Sequence, residues 1–149
     1  MHSDIYVAIV EDEPLVTSGL LGLFSTVAHI QVSLCVPSVE AFLEQSSDKH
    51  VDVLLLDIGL KGGMTGIKGI PLIRQRHPDT DIIMLTTFEE SEKIFQALCA
   101  GATAYLTKRT PFEVIVEAIE QVHAGGSYMS PGIARKVVEY FNPKKKRGD

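Results

Sequence analysis

The chain has 149 residues, 45% of them hydrophobic and 22% charged, with a formal net charge of −5. That is about one domain's worth, long enough to bury a core without a disulfide or metal staple, and outside the fibrous and disordered composition classes. Residues 1–142 carry ten basic against eighteen acidic side chains, a poor fit to nucleic-acid phosphates, whose binding is driven by cations.

Short apolar runs alternate with amphipathic stretches five times along the chain. Ile5–Val10 reads as a buried strand, and Leu15, Val16, Leu20, Leu23, Phe24 and Val27 then recur at helical spacing, a stripe expected to face the core. Gln31–Val36 is the second strand, after which Ser38 caps a helix carrying Val39, Phe42 and Leu43. Val51–Leu56 is the third, too continuously apolar for a half-exposed sheet. A glycine-rich loop leads to a helix over Ile67–Arg76, ended by His77-Pro78. Pro71 falls inside that stretch and predicts a late start, near Gly69. Ile82–Leu85 is the fourth strand, and its following helix, with Ile94, Phe95 and Leu98, closes at Gly101. Ala104–Leu106 is a short fifth strand. Thr110-Pro111-Phe112-Glu113 has capping-box spacing with proline at the first helical position, and Val114, Ile115, Ala118, Ile119 and Val122 give the next helix its apolar stripe. Beyond Ala124-Gly125-Gly126, Ser130-Pro131 opens a short helix over 131–141. Five βα units in a row predict a parallel sheet covered on both faces.

Cys35 and Cys99 form no CxxC motif and lie in apolar stretches, which predicts reduced core thiols. His2, His29, His50, His77 and His123 show no ligand spacing and read as surface imidazoles. No basic-then-apolar leader opens the chain, and no apolar run approaches the ~20 residues of a membrane helix, so a cytoplasmic protein without membrane contact is expected. The run Pro143–Asp149 (PKKKRGD) carries four basic side chains against one acid and reads as a solvated linker.

The polar residues collect where the strands end. Glu11 and Asp12 follow the first strand, Asp57 the third, Thr86 and Thr87 the fourth, and Thr107 and Lys108 the fifth. Open α/β sheets bind ligands at these carboxyl ends. In a 2-1-3-4-5 strand order Asp57 lies between the acidic pair and Thr86, and Lys108 sits two strand spacings (~10 Å) away, within reach of its long stem. Two carboxylates ~4 Å apart repel by about 4 kcal/mol at an effective dielectric of ~20, so three together call for a cation, and an all-oxygen set favours Mg²⁺ or Mn²⁺ over zinc. Asp12, just before Pro14, suits a helix cap as well as a ligand.

Val10-Glu11-Asp12-Glu13, Leu55-Leu56-Asp57-Ile58-Gly59-Leu60, Met84-Leu85-Thr86-Thr87 and Tyr105-Leu106-Thr107-Lys108, in that order and spacing, resemble the receiver domain of two-component response regulators over residues 5–124. Thr-Thr-Phe-Glu-Glu, Ala-Gly-Ala-Thr-Ala-Tyr-Leu-Thr-Lys and Gly-Gly-Ser-Tyr-Met-Ser-Pro-Gly-Ile-Ala-Arg resemble more narrowly the NarL/FixJ/LuxR subfamily. The resemblance implies a flavodoxin-like (βα)5 doubly wound parallel sheet of order 2-1-3-4-5 with a short C-terminal helix. It implies a receiver over 1–124, with 125–149 as helix and basic linker toward a helix-turn-helix domain that these residues do not contain.

The chemistry implied is phosphoryl transfer from a sensor histidine kinase to Asp57, with no enzymatic turnover beyond self-catalysed transfer and slow autodephosphorylation. Glu11, Asp12, Asp57 and the backbone carbonyl of Gly59 would hold the metal. Lys108, Thr86 and Thr87 would bind the phosphate, and Thr86 with Tyr105 would form the switch. The output face implied is the helix over 89–100, the fifth strand and the helix over 111–124, used for homodimerisation or for docking an attached DNA-binding domain that regulates transcription. Lys61 stands where the family usually has proline, and the loop is one residue longer before the glycine that opens its helix. Two other readings compete: a stand-alone receiver, and a Mg²⁺-dependent hydrolase working through an aspartyl phosphate, which wants a second acid where Gly59 stands. A flavodoxin-like cofactor binder fits poorly, because Glu11-Asp12-Glu13 would repel a cofactor phosphate.

Overall fold

The computed structural model describes residues 3–143; the predicted basic linker at 144–149 and His2 lie outside the described residues. Six strands and six helices follow in the order β1 (Ile5–Val10), α1 (Pro14–Phe24), β2 (Ile30–Val36), α2 (Val39–Gln45), β3 (Val53–Leu56), α3 (Gly66–Arg76), β4 (Asp81–Thr86), α4 (Ser91–Ala100), β5 (Ala104–Thr107), α5 (Phe112–His123), β6 (Tyr128–Met129) and α6 (Pro131–Phe141). One parallel sheet has the order β2-β1-β3-β4-β5-β6, so the expected 2-1-3-4-5 arrangement is present. The two-residue β6 was not foreseen. Tyr128 and Met129 are too few for periodicity to register, and they join the sheet only because Ala104 and Tyr105 of β5 offer a free edge.

Alternation along the strands splits the core in two. Ala8, Val10, Leu54, Leu56, Ile82, Met84 and Tyr105 face α2, α3, α4 and α6, meeting Val39, Phe42, Ile70, Ile73, Ile94 and Ile133. Val7, Ile9, Val53, Leu55, Ile83, Leu85 and Leu106 face α1 and α5, meeting Leu20, Phe24, Ile115, Ile119 and Val122. Both faces of the central strands are covered, which explains why β3 reads Val-Leu-Leu-Leu without a polar residue.

Local signals behave as expected at several ends. Ser38 Oγ accepts the Ala41 N–H at 3.0 Å, and Gly101 closes α4 at φ +128°, a conformation that side chains with a Cβ rarely adopt. Other expectations need correction. α3 begins at Gly66, not near Gly69, capped by the Thr65 hydroxyl on the Lys68 N–H at 3.3 Å, with Pro71 inside the helix. Pro71 is exposed, so its ring and the missing hydrogen bond face the solvent side of the helix and not the core. The capping box at Thr110 does not form: α5 starts at Phe112 with Pro111 at its N-cap, and the Thr110 hydroxyl faces that of Ser130 at 3.5 Å. The α1 stripe is only partly core, since Leu20 and Phe24 are buried while Leu15 is 88% and Leu23 46% exposed. Cys99 is exposed, and Cys35 half-buried.

His77 is not a surface imidazole. Its Nε2 meets the buried Ser46 hydroxyl at 2.8 Å, and its ring lies 5.3 Å from that of Phe42. Burial first, and the Arg76 charge second, hold it below its ordinary value of 6.5. A depressed pKa means the fold prefers the neutral ring, so its contribution is complete above pH 6.5 and fades as pH falls below it. Thermal melts at pH 7 and pH 5 are expected to show a larger acid-side loss in the wild type than in His77→Gln; equal losses would assign the acid sensitivity elsewhere.

Candidate functional site

Register brings the strand ends to one rim. Val10 pairs with Leu56, Leu56 with Met84 and Thr86 with Thr107, so Glu11, Asp57, Thr86 and Lys108 leave the sheet at nearly one level. Glu11 and Asp57 are each only 5% exposed, and Thr86 is buried. Carboxylate oxygens of Glu11, Asp12 and Asp57 all lie within 4.8 Å of one another. Lys108 crosses from β5 to place its Nζ 2.7 Å from Glu11 Oε1 and 3.0 Å from Asp57 Oδ2.

The charges explain the titration of the group. Burial pushes the Glu11 carboxyl up, outweighing the hydrogen bonds it accepts from Lys108 and the Glu13 N–H. Burial alone would pull the Lys108 ammonium down, but its bonds to Glu11 and Asp57 prevail and hold it above its ordinary value. Lys108 therefore stays charged, and one positive charge faces three carboxylates.

That excess of negative charge, in an all-oxygen set, fits a hard divalent cation. Two 2.1 Å bonds in line would separate ligand oxygens by about 4.2 Å, so the observed spread needs little more than side-chain rotation.

Asp12 is not the cap of α1. The N-cap is Glu13, and Asp12 Oδ2 instead accepts the Lys61 N–H at 2.8 Å, tying the β3–α3 loop to the acidic group. The Gly59 N–H donates to Asp57 Oδ1 at 3.4 Å. Phe88 leans over this glycine so closely that a Cβ there would come 2.9 Å from its ring. Thr86 Oγ1 accepts the Phe88 N–H at 3.4 Å, whereas Thr87 is exposed in the bend beyond the strand. Tyr105 is fully buried and donates its hydroxyl to the Phe88 carbonyl at 2.6 Å. Its phenol is pushed far above the ordinary value, by burial first and nearby carboxylates second, so that proton stays in place.

Sequence reasoning missed the supporting contacts. Glu40 on α2 accepts the Met64 N–H at 2.9 Å and holds the same loop. Arg109 Nη2 lies 2.8 Å from Glu89 Oε2, and Lys136 Nζ donates to the Glu89 carbonyl at 2.5 Å. The Glu40 and Lys136 contacts have backbone partners, which leave no residue-type signature, and Arg109 and Glu89 are twenty residues apart at no periodic spacing. Among the described residues no helix is long and apolar enough to cross a membrane.

Comparison with known proteins agrees with this geometry. The family model of the response regulator receiver domain matches residues 7–120. Transcriptional regulatory protein LnrK of Bacillus subtilis (strain 168) is 29% identical over 95% of this chain and 64% of its own length. Response regulator GacA of Pseudomonas viridiflava is 31% identical over 94% of this chain and 65% of its own. The chain thus spans just under two thirds of these curated relatives. Among solved structures, a LuxR-family two-component response regulator from Aurantimonas sp. SI85-9A1 superposes with a TM-score of 0.86 at 28% identity, covering 93% of this chain and 99% of that one. The receiver domain of a response regulator NarL from Mycobacterium tuberculosis gives 0.77 at 26% identity over 83% of this chain and 99% of that one.

Proposed function

The chain belongs to the response regulator receiver domain family of two-component systems, with relatives in the NarL/LuxR group, and from that premise we propose a phosphorylation-driven switch whose acceptor is Asp57. The observation that carries this reading is the surroundings of one buried carboxylate: Asp57 at the end of β3, with Glu11 and Asp12 oxygens within 4.8 Å and the Lys108 ammonium at 3.0 Å. A carboxylate oxygen of Asp57 bonds to phosphorus as the phosphorus–nitrogen bond of a kinase phosphohistidine breaks, its electron pair returning to the imidazole. Lys108, already charged, turns from the Asp57 carboxylate to a phosphoryl oxygen while keeping Glu11. Thr86, and Thr87 beside it, offer hydroxyl donors to the other oxygens. To donate, Thr86 turns its Oγ1, which also accepts the Phe88 N–H, toward the phosphoryl group, and the loop that Tyr105 holds then responds. Glu11, Asp12, Asp57 and the Gly59 carbonyl would hold Mg²⁺ or Mn²⁺, which when bound neutralises charge building on the transferred group.

The partners that go with this reading are a sensor histidine kinase and, after phosphorylation, a second copy of the chain, in the cytoplasm. Relatives named as transcriptional regulators support an attached DNA-binding part that controls transcription. Turnover is self-catalysed transfer and slow loss of the group, not enzymatic catalysis. Incubation with acetyl phosphate and Mg²⁺ is expected to give one base-labile phosphoryl adduct per chain by intact mass. Sustained hydrolysis of a small phosphomonoester with no adduct would overturn the switch in favour of a hydrolase.

The metal set has its own check. Mg²⁺ at about 100 times its Kd stabilises a folded binder by about 2.7 kcal/mol. At roughly 2–4 °C per kcal/mol for a chain of this size, the wild type is expected to melt several degrees higher with Mg²⁺. Asp12→Ala should shift hardly at all, and equal shifts would remove Asp12 from the ligand set.

A further inference from the structure

The β4–α4 loop is held by three separate elements. Tyr105 of β5 donates to the Phe88 carbonyl at 2.6 Å, Arg109 pairs with the Glu89 carboxylate at 2.8 Å, and Lys136 of α6 donates to the Glu89 carbonyl at 2.5 Å. Two consecutive backbone carbonyls are thus taken by side chains from two different elements, β5 and α6. The same loop touches the acidic site twice, through the Phe88 N–H on Thr86 Oγ1 and through the Phe88 ring over Gly59.

α6 is itself docked on α4. Ile133 is 1% exposed and, with Val137, packs into the core on that side of the sheet. Farther along, the Tyr140 ring stacks on Phe95 of α4 with centroids 3.5 Å apart, and Phe141 meets Phe95 edge-on at 5.5 Å. β6 anchors the start of this segment on β5. α4 and β5 belong to the face on which a switch of this fold would display its change, and α6 lies across the α4 part of it.

We propose that α6 is a strap over α4, locked to the β4–α4 loop by Lys136 on the Glu89 carbonyl, and that phosphorylation of Asp57 unlocks it. The trigger rests on the phosphoacceptor reading above. Donating to the phosphoryl group turns Thr86 Oγ1 toward Asp57, and the 3.4 Å contact it accepts from the Phe88 N–H must follow it or break. Phe88 and Glu89 then shift together, and Lys136, a single ammonium on a directional carbonyl contact, loses its hold. α6 keeps its apolar contacts through Ile133 and Val137 and its aromatic contacts to Phe95 but loses its polar tie to the loop, and its amides open more often. The coupling is reciprocal, so loosening α6 must also loosen the loop.

Amide hydrogen exchange of the full chain tests both directions. Lys136→Met keeps the apolar stem and removes the ammonium, and without any phosphate it is expected to speed exchange about tenfold in residues 131–141 and in 87–92. Tyr140→Ala touches no loop carbonyl, yet it is expected to speed exchange in the loop as well. Faster exchange confined to α6 in both variants overturns the lock. With acetyl phosphate and Mg²⁺, the adduct is counted in the same wild-type sample. Labelled protein whose α6 exchanges at the unlabelled rate overturns the release while leaving Asp57 as acceptor; absence of label overturns both.

Discussion

Asp57→Asn is expected to take up no phosphoryl group from acetyl phosphate under conditions that label the wild type fully. The amide oxygen is a far weaker nucleophile than a carboxylate, and no other carboxylate in the group is equivalent to it. Asp57 and Glu11 share the Lys108 ammonium, at 3.0 and 2.7 Å, and Asp12 accepts the Lys61 N–H, so the difference is one of role: Glu11 and Asp12 serve this reading only as metal ligands. The substitution removes one of three like charges while Lys108 retains Glu11, so the variant should fold and melt within a few degrees of wild type. Lost labelling with retained folding is the expected pair of results, read by intact mass and a thermal melt. Labelling of Asp57→Asn equal to wild type would place the acceptor elsewhere in the chain.

Gly66→Ala is expected to be among the most damaging single-methyl additions. Gly66 is the first residue of α3, and a Cβ there would lie 2.0 Å from the backbone carbonyl oxygen of Asp57 and 2.9 Å from its carbon. Backbone cannot rotate away as a side chain can. Either α3 lifts, losing the Gly66 N–H donation to the Ile58 carbonyl, or the Asp57 backbone shifts and carries its carboxylate with it. Overpacking of this kind costs on the order of 3 kcal/mol or more, and a fall in melting temperature of roughly 6–12 °C follows.

Gly69→Ala provides the contrast. Its Cβ would meet both methyls of Val39 at 2.7 Å, a side-chain clash that Val39→Ala on α2 can relieve. The double variant is expected to recover part of the loss, whereas no side-chain truncation should rescue Gly66→Ala. A melt of Gly66→Ala within about 1 °C of wild type would show that the approach of α3 to Asp57 is looser than the geometry implies.

What could be read before folding followed from periodicity and from where it breaks. Ile5–Val10 ends at Glu11-Asp12, and the apolar run through Leu56 ends at Asp57. Polar residues straight after fully buried strands have few reasons to be there. The α1 stripe misled because Leu15 and Leu23 carry the right spacing yet stay exposed, and periodicity alone cannot tell which positions of a stripe the sheet covers. Pro71 misled because local propensity was outweighed by packing: Ile70 and Ile73 on either side of it are buried in the core and carry α3 through the proline. His77 is drawn into a half-buried position because the Ser46 hydroxyl, itself buried, takes it as a partner.

The one-dimensional chain by itself determined the five βα units, their parallel sheet and the residues at its carboxyl rim, because hydrophobic alternation and strand-end polarity are properties of neighbours along the backbone. Which of those rim groups touch, the role of Asp12 as an anchor for the Lys61 amide, and the docking of β6 and α6 were decided only by tertiary structure. Those contacts join residues far apart in number, most of them through main-chain groups that every residue shares, and only packing chooses among them.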